Sequence, residues 1–354
     1  MPPAPRLCVV PRPAVRLPPE AAAAYEAFLR ERFPRAGGER LFIEVAKLSE
    51  AFTAERSELP GSYLNQPPCR SAYLAYFHPQ QVLRGLAALE ETIARATRRG
   101  LWPAGRPRVA DLGAGLGAMS QALLLAGCRP QEITFVDHQK SALADARDLT
   151  LRIAGPDPPR IRTASERLSA WLSRARREGW RYDVVLVGGL LNEIDDEWEP
   201  VLGQILAILD PAAPGGGVVA IVEPAIPPVA RKLMALRDTA LEATTTIAPC
   251  THGAACPLAE LSKDWCFTKR VAELPPRVVG LARELRHHAS DVRYAQWSFA
   301  ARPAAAPFEE PESRHGRVVS DRMEGEHVLC VAGRRERSAS PIAMLRGDLV
   351  LSLR

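Results

Sequence analysis

The chain has 354 residues, 47% of them hydrophobic, and a formal net charge of +5 at pH 7. That is ample apolar material for a large buried core, and no apolar run approaches the roughly 20 residues needed to span a bilayer, which argues against a membrane protein. Seven cysteines is an odd number, and with no secretory pattern ahead of them a reducing compartment is expected and a disulfide scaffold is not.

The first nineteen residues carry Arg6, Arg12 and Arg16 and no acid, but the seven prolines among them prevent an amphipathic targeting helix. From residue 20 to 99 the period is helical. Leu41, Val45, Leu48 and Phe52 fall on one face, as do Val82, Leu86, Leu89 and Ile93. Residues 1–100 are therefore expected to form a helical N-terminal region, bounded by the Pro- and Gly-rich stretch 100–107. In residues 101–354, short apolar runs at 108–112, 132–136, 160–163, 182–187 and 217–222 alternate with helical segments. That alternation predicts an α/β fold, a parallel sheet with crossover helices. Two later runs, 292–300 and 327–332, are expected to pair antiparallel at the sheet edge, and 302–311 to be a flexible connection.

Residues 109–120, Val-Ala-Asp-Leu-Gly-Ala-Gly-Leu-Gly-Ala-Met-Ser, end one strand and open a helix. Gly113, Gly115 and Gly117 permit positive φ and let the backbone approach a ligand. Asp111 precedes the first glycine, and Asp137 ends the next strand, where an acid can accept both hydroxyls of a ribose. The spacing is G-x-G-x-G and not the G-x-G-x-x-G of dinucleotide sites. It resembles the first motif of class I S-adenosylmethionine-dependent methyltransferases, in which Asp137 corresponds to the ribose-binding acid. That resemblance makes the end of the fourth strand, followed by Asn192 and Glu193, the substrate side. The same two residues also suit a helix cap and its first-turn acid. An Asn-Pro-Pro-Tyr or Asp-Pro-Pro-Tyr motif is missing there, as is a catalytic cysteine.

Cys250, Cys256 and Cys266 lie within seventeen residues, and Cys330 follows on a late apolar run, a Cys-x5-Cys-x9-Cys-x63-Cys series. Four thiolates suit zinc or an iron-sulfur cluster, and three of them with His252 also suit zinc. Prolines and glycine in the segment keep it out of regular structure, while Trp265 and Phe267 can shield a cluster from water. The radical-enzyme spacing Cys-x3-Cys-x2-Cys is absent. Cys8, Cys69 and Cys128 read as ordinary thiols.

At this point the chain resembles the methyltransferase-like small-ribosomal-subunit assembly proteins of mitochondria and bacteria. The resemblance is carried by residues 48–60 (Leu-Ser-Glu-Ala-Phe-Thr-Ala-Glu-Arg-Ser-Glu-Leu-Pro), Tyr63-Leu64, 72–77 (Ala-Tyr-Leu-Ala-Tyr-Phe), the glycine loop, 221–224 (Ile-Val-Glu-Pro), the cysteine segment and 328–333. It implies a Rossmann-like class I methyltransferase sheet with a helical N-terminal region and a Cys-rich metal-binding insertion, about 246–275, before the last strands. It further implies S-adenosylmethionine bound by Asp111, Gly113, Gly115, Gly117 and Asp137, and a 4Fe-4S cluster on Cys250, Cys256, Cys266 and Cys330. The partner it implies is small-subunit rRNA in an assembling subunit, in the cytoplasm for a bacterial chain and in the mitochondrion for a eukaryotic one. One departure is visible: the family commonly carries His after the third cysteine, where this chain has Phe267. Two other readings of the residues stand beside this one, a non-catalytic rRNA-binding factor with the same fold and a small-molecule methyltransferase with structural zinc. Arginine clusters at Arg98 and Arg99, Arg174 to Arg177 and Arg334 to Arg337 suit phosphate or a solvated surface.

Overall fold

The computed structural model describes residues 6–53, 62–191, 193, 198–261, 264–301, 315–323, 325–339 and 344–353. In chain order the elements begin with β1 (Arg6–Val9), β2 (Val15–Arg16), α1 (Pro19–Arg32), α2 (Gly38–Thr53) and α3 (Pro67–Ala72). A π-helical turn, Tyr73–Phe77, joins α3 to the long α4 (His78–Arg98). The periodic residues of this region do what their spacing predicts. Leu41, Val45 and Leu48 of α2, and Val82, Leu86 and Leu89 of α4, are buried, and Phe52 and Ile93 pack against the same cores.

The α/β part then runs β3 (Arg108–Leu112), α5 (Ala118–Leu125), β4 (Glu132–Asp137), α6 (Lys140–Ala154), β5 (Arg160–Ser165), α7 (Leu168–Arg177), β6 (Val184–Gly188), α8 (Trp198–Leu206), β7 (Val218–Pro224) and α9 (Pro227–Thr239). All five predicted strands are present. β5, β4, β3, β6 and β7 pair in parallel in that order. Val184 to Val187 and Val218 to Ile221 are 1% exposed or less, as expected of strands covered by helices on both faces. The order reverses between β3 and β6, and in such sheets ligands bind beyond the strand C-termini at that point.

The remaining elements are β8 (Thr245–Ala248), β9 (Thr268–Glu273), α10 (Pro276–Glu284), β10 (Asp291–Ala300), β11 (His315–Val318), β12 (Glu326–Val331), β13 (Arg334–Ala339) and β14 (Leu349–Leu353). β10 lies antiparallel beside β7 and continues the main sheet to β9 and β2. The architecture is thus an α/β sheet with a parallel five-stranded centre, preceded by a largely helical region.

Two expectations need correction. The runs at 292–300 and 327–332 do not pair. The first joins β7, while β12 belongs to a separate antiparallel sheet, β1-β14-β11-β12-β13. The cause is long-range pairing: Arg6 to Val9 take Leu353 to Val350 as partners, which builds a second sheet able to receive β12. The insertion is also narrower than expected, because its ends are strands. β8 and β9 occupy the two halves of one edge of β10, Thr245 to Ala248 against Ala300 to Ser298 and Thr268 to Val271 against Tyr294 to Asp291. The cysteine segment is what loops out between them. The stretch 302–311 lies outside the described residues.

The second sheet is fastened to the main body by charge. Glu91 on α4, 7% exposed at its side chain, pairs with Arg317 of β11, with Arg95 at 3.4 Å and with Arg12 at 3.8 Å. Arg12 also reaches Asp348 at 2.7 Å, and Lys269 N donates to Arg346 O at 2.9 Å. Among the described residues, no helix is long and apolar enough to cross a membrane.

Candidate functional site

Two sites grow out of this frame. The first is the turn from β3 into α5. Gly113, Gly115 and Gly117 all have positive φ, at 65°, 51° and 80°, as the turn requires. The surroundings differ. A Cβ on Gly113 would stand 2.7 Å from Leu190 Cδ1, and one on Gly117 would stand 3.3 Å from both Ala146 Cβ and Thr150 Oγ1. At Gly115 the nearest atom is Leu64 Cδ1 at 3.7 Å. At Gly113 and Gly117 close packing adds to the backbone requirement, whereas at Gly115 only Leu64 comes within 4 Å, in ordinary van der Waals contact.

The two acids take different parts. Asp111 is 1% exposed, and its Oδ2 accepts from Ser120 Oγ at 2.6 Å and Ser120 N at 3.1 Å. Burial raises its pKa to about 7 against the pull of those two hydrogen bonds. Its carboxylate therefore clamps the first turn of α5 and is spent within the fold. Asp137 ends β4 as predicted. Its Oδ2 accepts from Gly115 N at 2.9 Å and its Oδ1 from Gln139 N at 2.8 Å, which fixes it beside Gly115.

The N-terminal region closes over the same point, which the sequence pattern did not reveal. Leu64 N donates to Gln139 Oε1 at 2.7 Å, Ser141 N donates to Asn65 Oδ1 at 3.2 Å, and Arg70 Nη1 donates to Leu64 O at 2.7 Å. Arg70 Nε also meets Asp145 of α6 at 2.6 Å, with side chains 7% and 1% exposed. Tyr63-Leu64 is thus tied across the loop by a buried ion pair. At the end of β6, Asn192 lies outside the described residues, and Glu193 is exposed on the turn. Glu223, at the end of β7, is 1% exposed and its Oε1 accepts from Leu191 N at 3.0 Å. It holds the turn that carries those two candidates.

The second site is the loop of residues 249–267. Because β8 and β9 share an edge of β10, this loop leaves the sheet opposite residues 295–297. Cys250, Cys256 and Cys266 line a small cavity of about 30 Å³ there, with Met234, Arg237 and Trp297 among its walls. Cys330 arrives from β12 and packs in one apolar cluster with Cys256, Cys266, Leu258 and Trp265. Four cysteines from the two sheets thus converge, and none is in a disulfide. Burial, then the thiol of Cys250, pushes Cys256 up to about 11; burial, Cys250 and Cys256 push Cys330 up to about 12. Among the described residues, no group of three or more His, Cys, Asp or Glu side chains closes up tightly enough to hold a metal ion.

The loop backbone is held by charged side chains of both signs. Arg237 donates to Ala254 O at 2.5 Å and His252 O at 3.0 Å. Arg95 donates to Cys250 O at 2.7 Å. Cys256 N donates to Asp238 Oδ2 at 2.9 Å. His252 Nε2 lies 3.1 Å from Cys330 Sγ. Trp265 and Phe267 stack with centroids 5.8 Å apart, and the Arg346 guanidinium sits 4.7 Å from the Phe267 ring. Cys8 is exposed, Cys69 half-buried and Cys128 buried, all away from this loop's cavity.

A family model described as mitochondrial small ribosomal subunit Rsm22 matches residues 71–340. The chain belongs to the Rsm22 family. The match takes in the glycine loop and all four cysteines of the series, and leaves Tyr63-Leu64 outside. No curated protein sequence matches this Rsm22-family chain. Among solved structures it is similar to a candidate RNA methyltransferase of Pyrococcus horikoshii, at 16% identity over 61% of this chain and 85% of that one, TM-score 0.36. It is similar to human methyltransferase-like protein 13 in complex with S-adenosylhomocysteine, at 12% identity over 66% and 86%, TM-score 0.35. It is also similar to the ribosomal protein L11 methylase of Lactobacillus delbrueckii subsp. bulgaricus, at 12% identity over 61% and 80%, TM-score 0.34.

Proposed function

We propose that this Rsm22-family protein is a small-subunit assembly factor that binds S-adenosylmethionine at the glycine loop, contacts small-subunit rRNA and carries a 4Fe-4S cluster on Cys250, Cys256, Cys266 and Cys330. The observation that carries the reading is the family match over residues 71–340. The residues fit the cofactor: Gly115 is the least crowded of the three glycines, and Asp137, which accepts from its amide, carries a carboxylate suited to ribose hydroxyls. Bound there, the cofactor supplies an electrophilic methyl group. The chain's own part is to hold it in line with an acceptor on RNA, an effect of positioning. Asn192 and Glu193 remain the candidates for the acceptor side.

Four free thiols gathered about one small cavity and its adjoining apolar cluster suit a cube whose irons each take one thiolate. Such a cube spreads its ligands more widely than a single zinc ion, with Zn–S bonds of about 2.3 Å, can. A cluster there would act as a rivet between the two sheets. The hairpin that carries Cys330 turns at once into β13, on which Arg334, Arg335 and Arg337 are exposed, a surface suited to phosphates next to the rivet.

Metal analysis of anaerobically purified protein tests the cluster. About four irons and four sulfides per chain are expected, and Cys256→Ser should lose them. Stoichiometric zinc without iron, together with salt-independent or absent rRNA binding, would instead favour a small-molecule methyltransferase with structural zinc. Methyl transfer from labelled S-adenosylmethionine to small-subunit rRNA tests catalysis; binding of RNA without transfer would leave an assembly factor only.

A further inference from the structure

The corner between α1 and α2 carries a cavity that neither the glycine loop nor the thiol site uses. Its volume is about 260 Å³, somewhat below the roughly 300–1,000 Å³ of pockets that enclose a drug-sized molecule. A space of that size takes a single ring system with its substituents. The walls come from the end of α1, the turn after it, the first two turns of α2 and the start of α3. Half-buried Phe33 and exposed Pro67 and Pro68 give it apolar faces.

Three arginines and one acid also line it: Arg32, Arg35, Arg40 and Glu44. The acid is engaged, with Lys47 Nζ 3.0 Å from Glu44 Oε1. Arg32 is engaged too, by Asp145 at 2.7 Å. Arg35 and Arg40 are exposed and meet no acid among the described residues. Arg40 moreover stands in the first turn of α2, where a helix dipole favours an acid and disfavours a cation. Two unmatched guanidinium groups at one cavity, one of them set against its own helix, make a seat for phosphate.

Phosphate alone would leave the apolar faces unused. A nucleotide uses both, its phosphates on the arginines and its base on the flat walls. A duplex keeps its bases stacked inside, whereas a single strand can splay one out onto aromatic and apolar side chains. The position of the cavity also fits an RNA partner. Asp145, which holds Arg32, holds Arg70 as well, and Arg70 ties Leu64 across the glycine loop. The cavity and that closure are built on one carboxylate, so a strand seated in the first lies beside the second.

We propose that this cavity seats one unpaired nucleotide of an RNA partner, with Arg35 and Arg40 on its phosphates and its base against Phe33 and the Pro67-Pro68 face. This rests on the reading of the chain as an rRNA-binding factor and adds to it the place where a single strand is held.

The test is fluorescence anisotropy on the full-length protein, with a labelled single-stranded RNA of about twelve nucleotides and with the same strand in a duplex. Arg35→Ala/Arg40→Ala should weaken the single strand roughly tenfold and reduce its salt slope by about 1.4, two phosphate contacts at about 0.7 each, while changing duplex affinity by no more than about twofold. Arg176→Ala/Arg283→Ala removes the same charge from exposed positions on α7 and α10 and should leave single-strand affinity within about twofold. An unchanged melting temperature shows that each variant is folded. Equal affinity of wild type and Arg35→Ala/Arg40→Ala for the single strand overturns the site. So does an equal loss in the two double variants, the mark of net charge alone, and so does an equal loss on strand and duplex, which means that no base is seated. If wild type binds neither RNA, the rRNA reading itself fails, and the site with it.

Discussion

The glycine-loop end and the thiol end of the molecule are each pinned by one buried carboxylate, and the two carboxylates behave in opposite ways. Asp111 faces a hydroxyl and an amide, neutral donors that do not offset its burial, so its pKa rises to about 7. Glu91, 7% exposed at its side chain, is also desolvated, yet the guanidinium groups of Arg317, Arg95 and Arg12 overcome that burial and hold its pKa down at about 2. The first is a clamp within one turn of chain, from Asp111 to Ser120. The second ties together α4, the N-terminal segment and the second sheet. A local site can thus tolerate a carboxylate that is nearly neutral, whereas a junction between sheets relies on full charge.

The largest effect should come from breaking the junction. Glu91→Gln leaves three arginines short of their shared anion and should cost about 3–5 kcal/mol, read as a lower urea midpoint. Because the folded pKa of Glu91 lies below its unfolded value, its stabilisation is complete above about pH 4.5 and is lost as pH falls toward 2. If wild-type stability relative to Glu91→Gln stays constant across that window, the buried network is not what fastens the second sheet.

Asp111 sharpens the contrast, since its folded pKa is raised. Its contribution is greatest below the unfolded pKa of about 3.9 and is lost as pH climbs through about 7. Wild type should lose about 3 kcal/mol relative to Asp111→Asn between pH 4 and 8. Thermal melts of the two proteins in matched buffers measure this, and parallel curves would mean that solvent or a counter-charge reaches the carboxylate.

Smaller effects separate the glycines. Gly117→Ala combines a left-handed backbone with contacts at 3.2–3.3 Å and should cost about 2 kcal/mol. Gly115→Ala should cost about 1 kcal/mol, because only Leu64 is near, yet it should abolish S-adenosylmethionine binding by crowding the backbone beside Asp137. Retained binding in the Gly115→Ala variant would show that the ligand enters elsewhere.

Much of the glycine-loop end could be read from the chain because its requirements are local. Positive φ is expressed as glycine, a strand buried on both faces as a run such as Val184 to Val187, and a helix as the spacing of Val82, Leu86 and Leu89. Asp111 shows the limit of such reading. Its position in the motif suggests a ligand contact, and only the packing of α5 turns its carboxylate onto Ser120.

By itself the sequence determined the helices between residues 20 and 99, though not the strands β1 and β2 ahead of them, together with the five parallel strands, the glycine turn and the cysteine series, since each is specified by backbone preference or hydrophobic period over a few residues. The tertiary structure decided what no short window contains. It pairs residues 6–9 with 350–353, splits one edge of β10 between β8 and β9 so that the cysteine loop is extruded, and carries Cys330 to it from another sheet. Strand pairing draws on backbone groups that every residue has, so its partners and register are settled only when the whole chain has folded.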